Sequence, residues 1–138
     1  MSVLRTILAV VLGLFIGSIV NMALIMLGSE VISAPPGVDV TTAEGLKAGM
    51  AQMEPRHFLF PWLAHAAGTL VGALLACWIS KDHRKLAAYI IGFAFLLGGV
   101  ANVLMLPSPW WFTLVDLSLA YLPMAWLALR LRSKILSK

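Results

Sequence analysis

Four strongly polar side chains stand out because each interrupts an otherwise apolar stretch of the sequence. They are Asn21, His65, Asn102 and Asp116. An acid inside a membrane-crossing helix costs about 3 kcal/mol or more unless it is paired, protonated or hydrated, and such residues usually mark a functional site. Asp116 is therefore the first candidate for chemistry, as the charged anchor of a ligand or an ion.

His65 is the expected partner of Asp116. An imidazole donates a hydrogen bond to a carboxylate, and it forms an ion pair with the acid when it is protonated. Asn21 and Asn102 would orient a ligand through their amide groups. Thr69 lies one helical turn after His65, so it would line the wall of the same pocket. These five residues form the predicted ligand- or ion-binding site.

The elements that would position these residues are four apolar stretches, at about residues 6–27, 58–80, 86–106 and 111–129. A span of about 30 Å of hydrocarbon takes about 20 residues, and in lipid a helix satisfies its own backbone polar groups. Hydrophobic residues make up 61% of the chain and charged residues 12%, against about half and about a quarter in soluble domains. The sequence predicts an all-α, polytopic integral membrane protein with one domain, a bundle of four transmembrane helices. It excludes a soluble enzyme and a nucleic-acid module.

The depth of the four polar groups indicates that they meet. At a rise of about 1.5 Å per residue, each lies roughly 6–10 Å inside one end of its predicted helix. All four fall in the same third of the membrane. If the helices pack with their small residues inward, the polar groups converge in a pocket near the outer surface.

The positions of the basic residues predict the topology. Eight of the ten Lys and Arg residues fall on one side of the predicted spans, and the positive-inside rule places that side, with both termini, in the cytoplasm. These cations would also attract anionic lipid headgroups. They are Arg5, Lys81, Arg84, Lys85, Arg130, Arg132, Lys134 and Lys138.

The outer loop, residues 28–57, is the one sizeable segment outside the predicted spans. Its apolar periodicity predicts a short amphipathic helix at about residues 42–54. Thr41 and Glu44 have the spacing of a capping box at the start of this helix, and Pro55 would end it.

Glycines at helical spacing predict how the helices pack. Lipid provides no hydrophobic force between helices, so close backbone approach and polar contacts must hold them together. The candidates for helix packing are Gly13, Gly17, Gly68, Gly72, Gly98 and Gly99. In the fourth span Pro123 lacks an amide hydrogen and would clash with the carbonyl of Leu119, so a bend is expected there, either as packing geometry or as a hinge.

Structural explanations compete with a binding site. Asp116 could extend to the headgroups or cap a helix start, the asparagines could only link helices, and Arg56 or His57 could replace His65 as its partner. Catalytic motifs are absent from the sequence, so no catalytic residue and no cofactor are expected. Methionines at helical spacing are typical of core packing, so no metal site is expected either.

Two functional hypotheses follow from these patterns. In the first, the chain binds a small polar ligand or an ion and works in transport, as a homo-oligomer, because four short helices leave little room for a pathway. In the second, it is a non-catalytic scaffold subunit that docks a larger membrane partner through its small-residue faces. The architecture resembles that of small four-helix bacterial inner-membrane proteins, and this resemblance implies a location but no activity.

Overall fold

Six α-helices make up the regular structure of residues 1–137, the part of the chain that the computed structural model describes. Lys138, the last of the predicted basic cluster, lies outside this part. The helices are α1 (Ser2–Val31), α2 (Ala43–Gly49), α3 (Leu59–Ile79), α4 (Arg84–Met105), α5 (Trp110–Leu119) and α6 (Leu122–Leu136). Four helical segments are long and apolar enough to cross a membrane, with α5 and α6 together forming the fourth. The all-helical architecture is thus confirmed.

The fourth predicted helix is two helices, and this corrects the sequence analysis. The chain leaves the helical path at Ala120 and Tyr121, and Pro123 lies in the first turn of α6. A proline ring clashes with the carbonyl four residues before it, which here belongs to Leu119, the last residue of α5. The departure expected from this clash is therefore present, but it is a break between Leu119 and Leu122 and not a bend within one continuous helix.

The first and third helices pack against each other through glycines. A side-chain carbon added to Gly13 would lie 2.6 Å from the carbonyl oxygen of Gly72, and one added to Gly17 would lie 2.5 Å from that of Gly68. Gly13 contacts Gly72, and the later residue Gly17 contacts the earlier residue Gly68. The two helices are therefore antiparallel. Their backbones touch at these four glycines, as close packing in lipid requires.

The last two predicted packing glycines differ from each other. A carbon added to Gly99 would lie 2.5 Å from the hydroxyl oxygen of Tyr121, so this residue does pack closely, against an aromatic ring. Around Gly98 nothing lies within 4 Å of such a carbon. Within the described residues Gly98 therefore packs closely against no other helix, and it borders a cavity.

The bundle has two different ends. One end, here called the basic end, carries Arg5, the Lys and Arg residues between α3 and α4, and those of α6. There the start of α1 meets the end of α3, and the Thr6 and Ser80 hydroxyl oxygens are 2.7 Å apart and buried. The core of this half consists of small side chains, namely Ala9, Ala73, Ala76, Cys77, Ala87, Ala88, Ala125 and Ala128, with Ile91. The opposite end, here called the loop end, carries the connection from α1 to α3 and the turn at residues 106–109.

The helix in the α1–α3 connection is shorter than predicted. It ends at Gly49 and is followed by a 3-10 turn, Met50–Gln52. Its cap is Thr42, whose hydroxyl accepts from the Gly45 amide at 3.0 Å, so the predicted capping role of Thr41 is wrong. Thr41 donates to Asp39 through its hydroxyl and its amide instead, and these hydrogen bonds lower the pKa of Asp39.

Pro55 also has a different role from the one predicted. It does not end a helix but starts the 3-10 turn Pro55–Phe58, which leads directly into α3. A proline suits the first turn of a helix because the amide it lacks has no intrahelical partner there. The connection is thus continuous with the helix that carries His65.

Candidate functional site

Asp116 is the centre of the candidate site. Its side chain is buried, with 2% of the residue's surface exposed. Oδ1 accepts from Nδ1 of His65 at 2.8 Å, and Oδ2 accepts from the hydroxyl of Tyr121 at 2.8 Å. Both carboxylate oxygens therefore have a partner, which is the condition under which an acid is tolerated in an apolar interior.

His65 joins this acid to α3. Its Nδ1 carries the proton of the bond to Asp116, because a carboxylate oxygen can only accept. Its ring stacks on that of Tyr121, with centroids 5.9 Å apart and planes inclined at 27°. Nε2 makes no hydrogen bond within residues 1–137, and the side chain borders a cavity. The ring can therefore offer Nε2 to a bound molecule.

Thr69 does not have the predicted role in the cavity wall. Its hydroxyl donates to the backbone carbonyl of His65 at 2.8 Å, and the residue is completely buried. Threonine commonly bonds the carbonyl one turn earlier in its own helix. Thr69 thus supports the turn that carries His65, but the cavity-lining residues do not include it.

Tyr121 is the functional residue that the sequence analysis missed. In an uninterrupted helix, residues five positions apart lie about 140° apart around the axis, so Tyr121 would point away from Asp116. Tyr121 has φ −121° and ψ −84°, outside the helical region. The break between α5 and α6 turns its side chain back toward the carboxylate. Pro123 was the one sequence signal that could have revealed this change of direction.

A cavity of about 700 Å³ lies beside Asp116 at the loop end. It is enclosed by α1, α3, α4 and α5 and by the connection between α1 and α3. The four polar residues from the four predicted spans all border it, namely Asn21, His65, Asn102 and Asp116. The structure therefore brings these residues to one cavity, although the asparagines do not bond the acid.

Asn21 presents an unsatisfied acceptor at this cavity. Its Oδ1 is buried and has no hydrogen-bond partner within residues 1–137. The other two such atoms of the described chain belong to Trp62 and Arg132, which do not border the cavity. A buried carbonyl without a donor is costly, so a donor from a bound molecule would stabilise this position. Asn102, in contrast, is exposed.

Arg56 and His57, the other candidate partners of the acid, have partners of their own at the rim of the cavity. Arg56 pairs with Glu54 at 3.0 Å. His57 Nδ1 accepts from the Glu54 amide at 2.9 Å, so its Nε2 donates to the carbonyl of Ser33 at 3.1 Å. The bond from His57 to Ser33 holds the start and the end of the α1–α3 connection together at the rim of the cavity.

The cavity wall is mostly apolar, and its charged side chains have partners. Asp116 is hydrogen-bonded to His65 and Tyr121, and Arg56 pairs with Glu54. Within residues 1–137 there is no cluster of three His, Cys, Asp or Glu side chains that could hold a metal ion. The remaining wall consists largely of aromatic and aliphatic side chains, including Ile25, Met50, Met53, Phe58, Phe60, Phe95, Val103 and Phe112. The arrangement can hold a molecule and exchange hydrogen bonds with it at Asn21 and His65.

No protein-family model, curated protein or solved structure matches this chain.

Proposed function

We propose that this chain is a multi-pass protein of a bacterial inner membrane that binds a small polar ligand or an ion in the loop-end cavity. In this proposal both termini are cytoplasmic and the cavity lies near the outer surface. Binding would serve transport across or into the membrane, in a homo-oligomer. The four long apolar helices and the one-sided basic residues support the location.

The burial of Asp116 beside the cavity carries the proposal. An acid that extended to the headgroups or capped a helix start would be exposed, whereas Asp116 is 2% exposed. Pockets for small molecules usually enclose about 300–1,000 Å³ and combine apolar walls with a few polar groups, and this cavity encloses about 700 Å³. Intramembrane acids in such surroundings typically serve ligands, ions or protons.

The alternative, a scaffold that docks through small-residue faces, has less support. The glycines that such docking needs, Gly13, Gly17, Gly68 and Gly72, already pack against one another within the chain. A partner would have to use an exposed apolar face instead, such as that of α1, on which Leu8, Phe15 and Ile19 lie. That face suits lipid or a second copy of the chain equally well.

Native mass spectrometry of gently extracted protein tests the proposal. We expect the wild-type chain to carry a small molecule or an ion that Asp116→Asn loses, because the amide removes the charge that positions His65. Circular dichroism should show the same helix content in both proteins. Asp82→Asn is the matched control, since Asp82 is an exposed acid in the connection between α3 and α4, and it should keep the ligand.

Two results would contradict the proposal. One is equal ligand occupancy in the wild-type chain and in Asp116→Asn. The other is a co-purified polypeptide instead of a small molecule, with Gly68→Leu releasing that polypeptide and Asp116→Asn retaining it. The second result would establish the scaffold function.

The orientation can be tested by thiol labelling. Cys77, the single cysteine, is buried, and Cys77→Ala provides a background for Ala48→Cys and Ser133→Cys, both at exposed positions. We expect a membrane-impermeant maleimide to label position 48 in intact cells and position 133 only after permeabilisation. The opposite pattern would invert the proposed topology.

A further inference from the structure

Exposed residues of α1 and α4 in the cavity lining indicate an opening at the side of the bundle, between these helices. On α4, Gly98 and Asn102 border the cavity and are exposed. On α1, Met26 also borders it and is 63% exposed. Gly98 lies seven residues before Met105, the end of α4, which is roughly 10 Å along the helix. The opening therefore lies partly along the sides of α1 and α4 and is not confined to their ends.

The absence of a side chain at Gly98 leaves space at this opening. A carbon added there would have nothing within 4 Å, whereas one added to its neighbour Gly99 would collide with the ring of Tyr121. The surface around the opening is apolar and exposed, with Met22 at 55% and Leu97 at 55%. In a membrane, such a surface faces acyl chains.

The interior of the cavity has a polar floor, formed by Asn21 and His65, and its other walls are mostly apolar. Asn21 Oδ1, an acceptor, is buried without a partner among the described residues, and His65 Nε2 also makes no hydrogen bond with them. Both carboxylate oxygens of Asp116 already accept hydrogen bonds, and Arg56 pairs with Glu54, so within the described residues a bare ion would find few free ligands to replace its hydration shell. A neutral headgroup with a hydrogen-bond donor suits this floor better than an ion does.

We propose that the ligand is a neutral amphiphile that enters from the lipid through the opening at Gly98. Its headgroup donates a hydrogen bond to Asn21 Oδ1 and bonds Nε2 of His65. Its hydrocarbon chain lies between Phe95 and Met26 and leaves the cavity toward the lipid. This inference rests on the proposed function and narrows its ligand class, excluding bare ions and fully hydrophilic solutes.

Photolabelling of the full chain in phosphatidylcholine vesicles tests this inference. The probe is a monoacylglycerol with a diazirine in its acyl chain, because its headgroup is neutral and both donates and accepts hydrogen bonds. We expect labelled peptides from the loop-end parts of α1 and α4. An excess of unlabelled monoacylglycerol should suppress this labelling, whereas glycerol, Na⁺ and K⁺ should not.

Two variants test the path and the headgroup contact. Gly98→Phe fills the opening and should lower the competable labelling by about tenfold or more, equivalent to a tenfold weaker affinity. Asn21→Leu removes the unpartnered acceptor and should lower it in the same direction. Leu97→Phe is the matched control, because it places the same ring at the adjacent exposed position outside the cavity, and it should leave labelling unchanged.

Labelling that is not competed, or that is equal in wild type and a folded Gly98→Phe, would overturn the inference. If Gly98→Phe does not fold, the competition in the wild-type chain decides by itself. An ion or a hydrophilic solute bound in the native mass spectrum, without competable labelling, would overturn the amphiphile but retain the proposed function. The absence of both would overturn the proposed function as well.

Discussion

The two halves of this bundle are built on opposite plans. At the basic end the buried core consists almost entirely of alanines, around a single isoleucine, Ile91. At the loop end large side chains such as Phe60, Phe95 and Phe112 surround a cavity of about 700 Å³, beside a buried hydrogen-bonded cluster of His65, Asp116 and Tyr121.

The difference shows how a short chain divides two tasks. Small side chains let helices approach until their backbones touch, which is the main source of helix association in lipid. Large side chains keep helices apart, and the space between them can hold a ligand if polar groups at its wall are satisfied. One half of the chain thus packs the helices tightly, while the other encloses the cavity that we propose as the binding site.

The strongest test of this division is Gly13→Leu. A side-chain carbon at this position would lie 2.6 Å from the Gly72 carbonyl oxygen and 2.9 Å from the side chain of Ile91, in the core of the basic end. Backbone cannot yield as a flexible side chain can, so we expect a loss of about 3 kcal/mol or more in the free energy of unfolding. Denaturant titration in detergent micelles, followed by circular dichroism, measures this change.

Gly98→Leu is the control for that experiment. It makes the same substitution where a side-chain carbon has open space around it, and leucine favours a helix over glycine by about 0.5–1 kcal/mol. We expect unchanged or slightly higher stability. Equal losses in the two variants would mean that the backbone contact between α1 and α3 does not stabilise the bundle.

A smaller effect is expected from Tyr121→Phe at the loop end. The substitution keeps the ring that packs against Gly99 but removes the donor to Asp116 Oδ2. A buried acceptor left without its partner costs about 1–3 kcal/mol. Tyr89→Phe is the matched control, since Tyr89 is 41% exposed, and its stability should stay within about 0.5 kcal/mol of wild type. Equal stabilities of the two variants would mean that the carboxylate does not need Tyr121.

The smallest effect is expected from the polar pair at the basic end. Thr6 donates to the Ser2 carbonyl at 2.9 Å, so the Ser80 hydroxyl donates to Thr6 at 2.7 Å. A double-mutant cycle of Thr6→Val and Ser80→Ala should give a coupling energy of about 0.6 kcal/mol, the average for hydrogen bonds between membrane helices. The same kind of cycle on His65 and Asp116 gives the coupling energy at the loop end. A larger coupling energy for Thr6 and Ser80 than for His65 and Asp116 would contradict the assignment of the main polar interactions to the loop end.

The contact between His65 and Asp116 could be predicted because it depends only on depth and helix face. Each residue lies a similar distance from the end of its helix, on the side that carries small residues, and α3 and α5 are adjacent. The contacts of Gly13 and Gly17 could be predicted for the same reason. Regular helices convert residue spacing directly into position.

The features that the sequence did not reveal depend on departures from regular helix geometry, or on which of two adjacent residues makes a given contact. Tyr121 reaches Asp116 because the helix is interrupted, and periodicity assumes that it is not. Glycine spacing does not distinguish Gly99, which packs, from Gly98, which borders open space. Likewise, Thr41 and Thr42 are both suitable caps, and the choice depends on Asp39, which binds Thr41.

The alanine core has a further consequence for the behaviour of the molecule on warming. Alanine has no side-chain torsion to order, so forming this core costs almost no side-chain entropy, whereas each methionine or phenylalanine around the cavity gives up rotamer freedom. Heat favours whatever regains freedom, and the fully buried alanines have none to regain, although aliphatic side chains such as Leu14 and Leu74 pack around them. On warming, we therefore expect the walls of the cavity to become mobile before the alanine contacts at the opposite end separate.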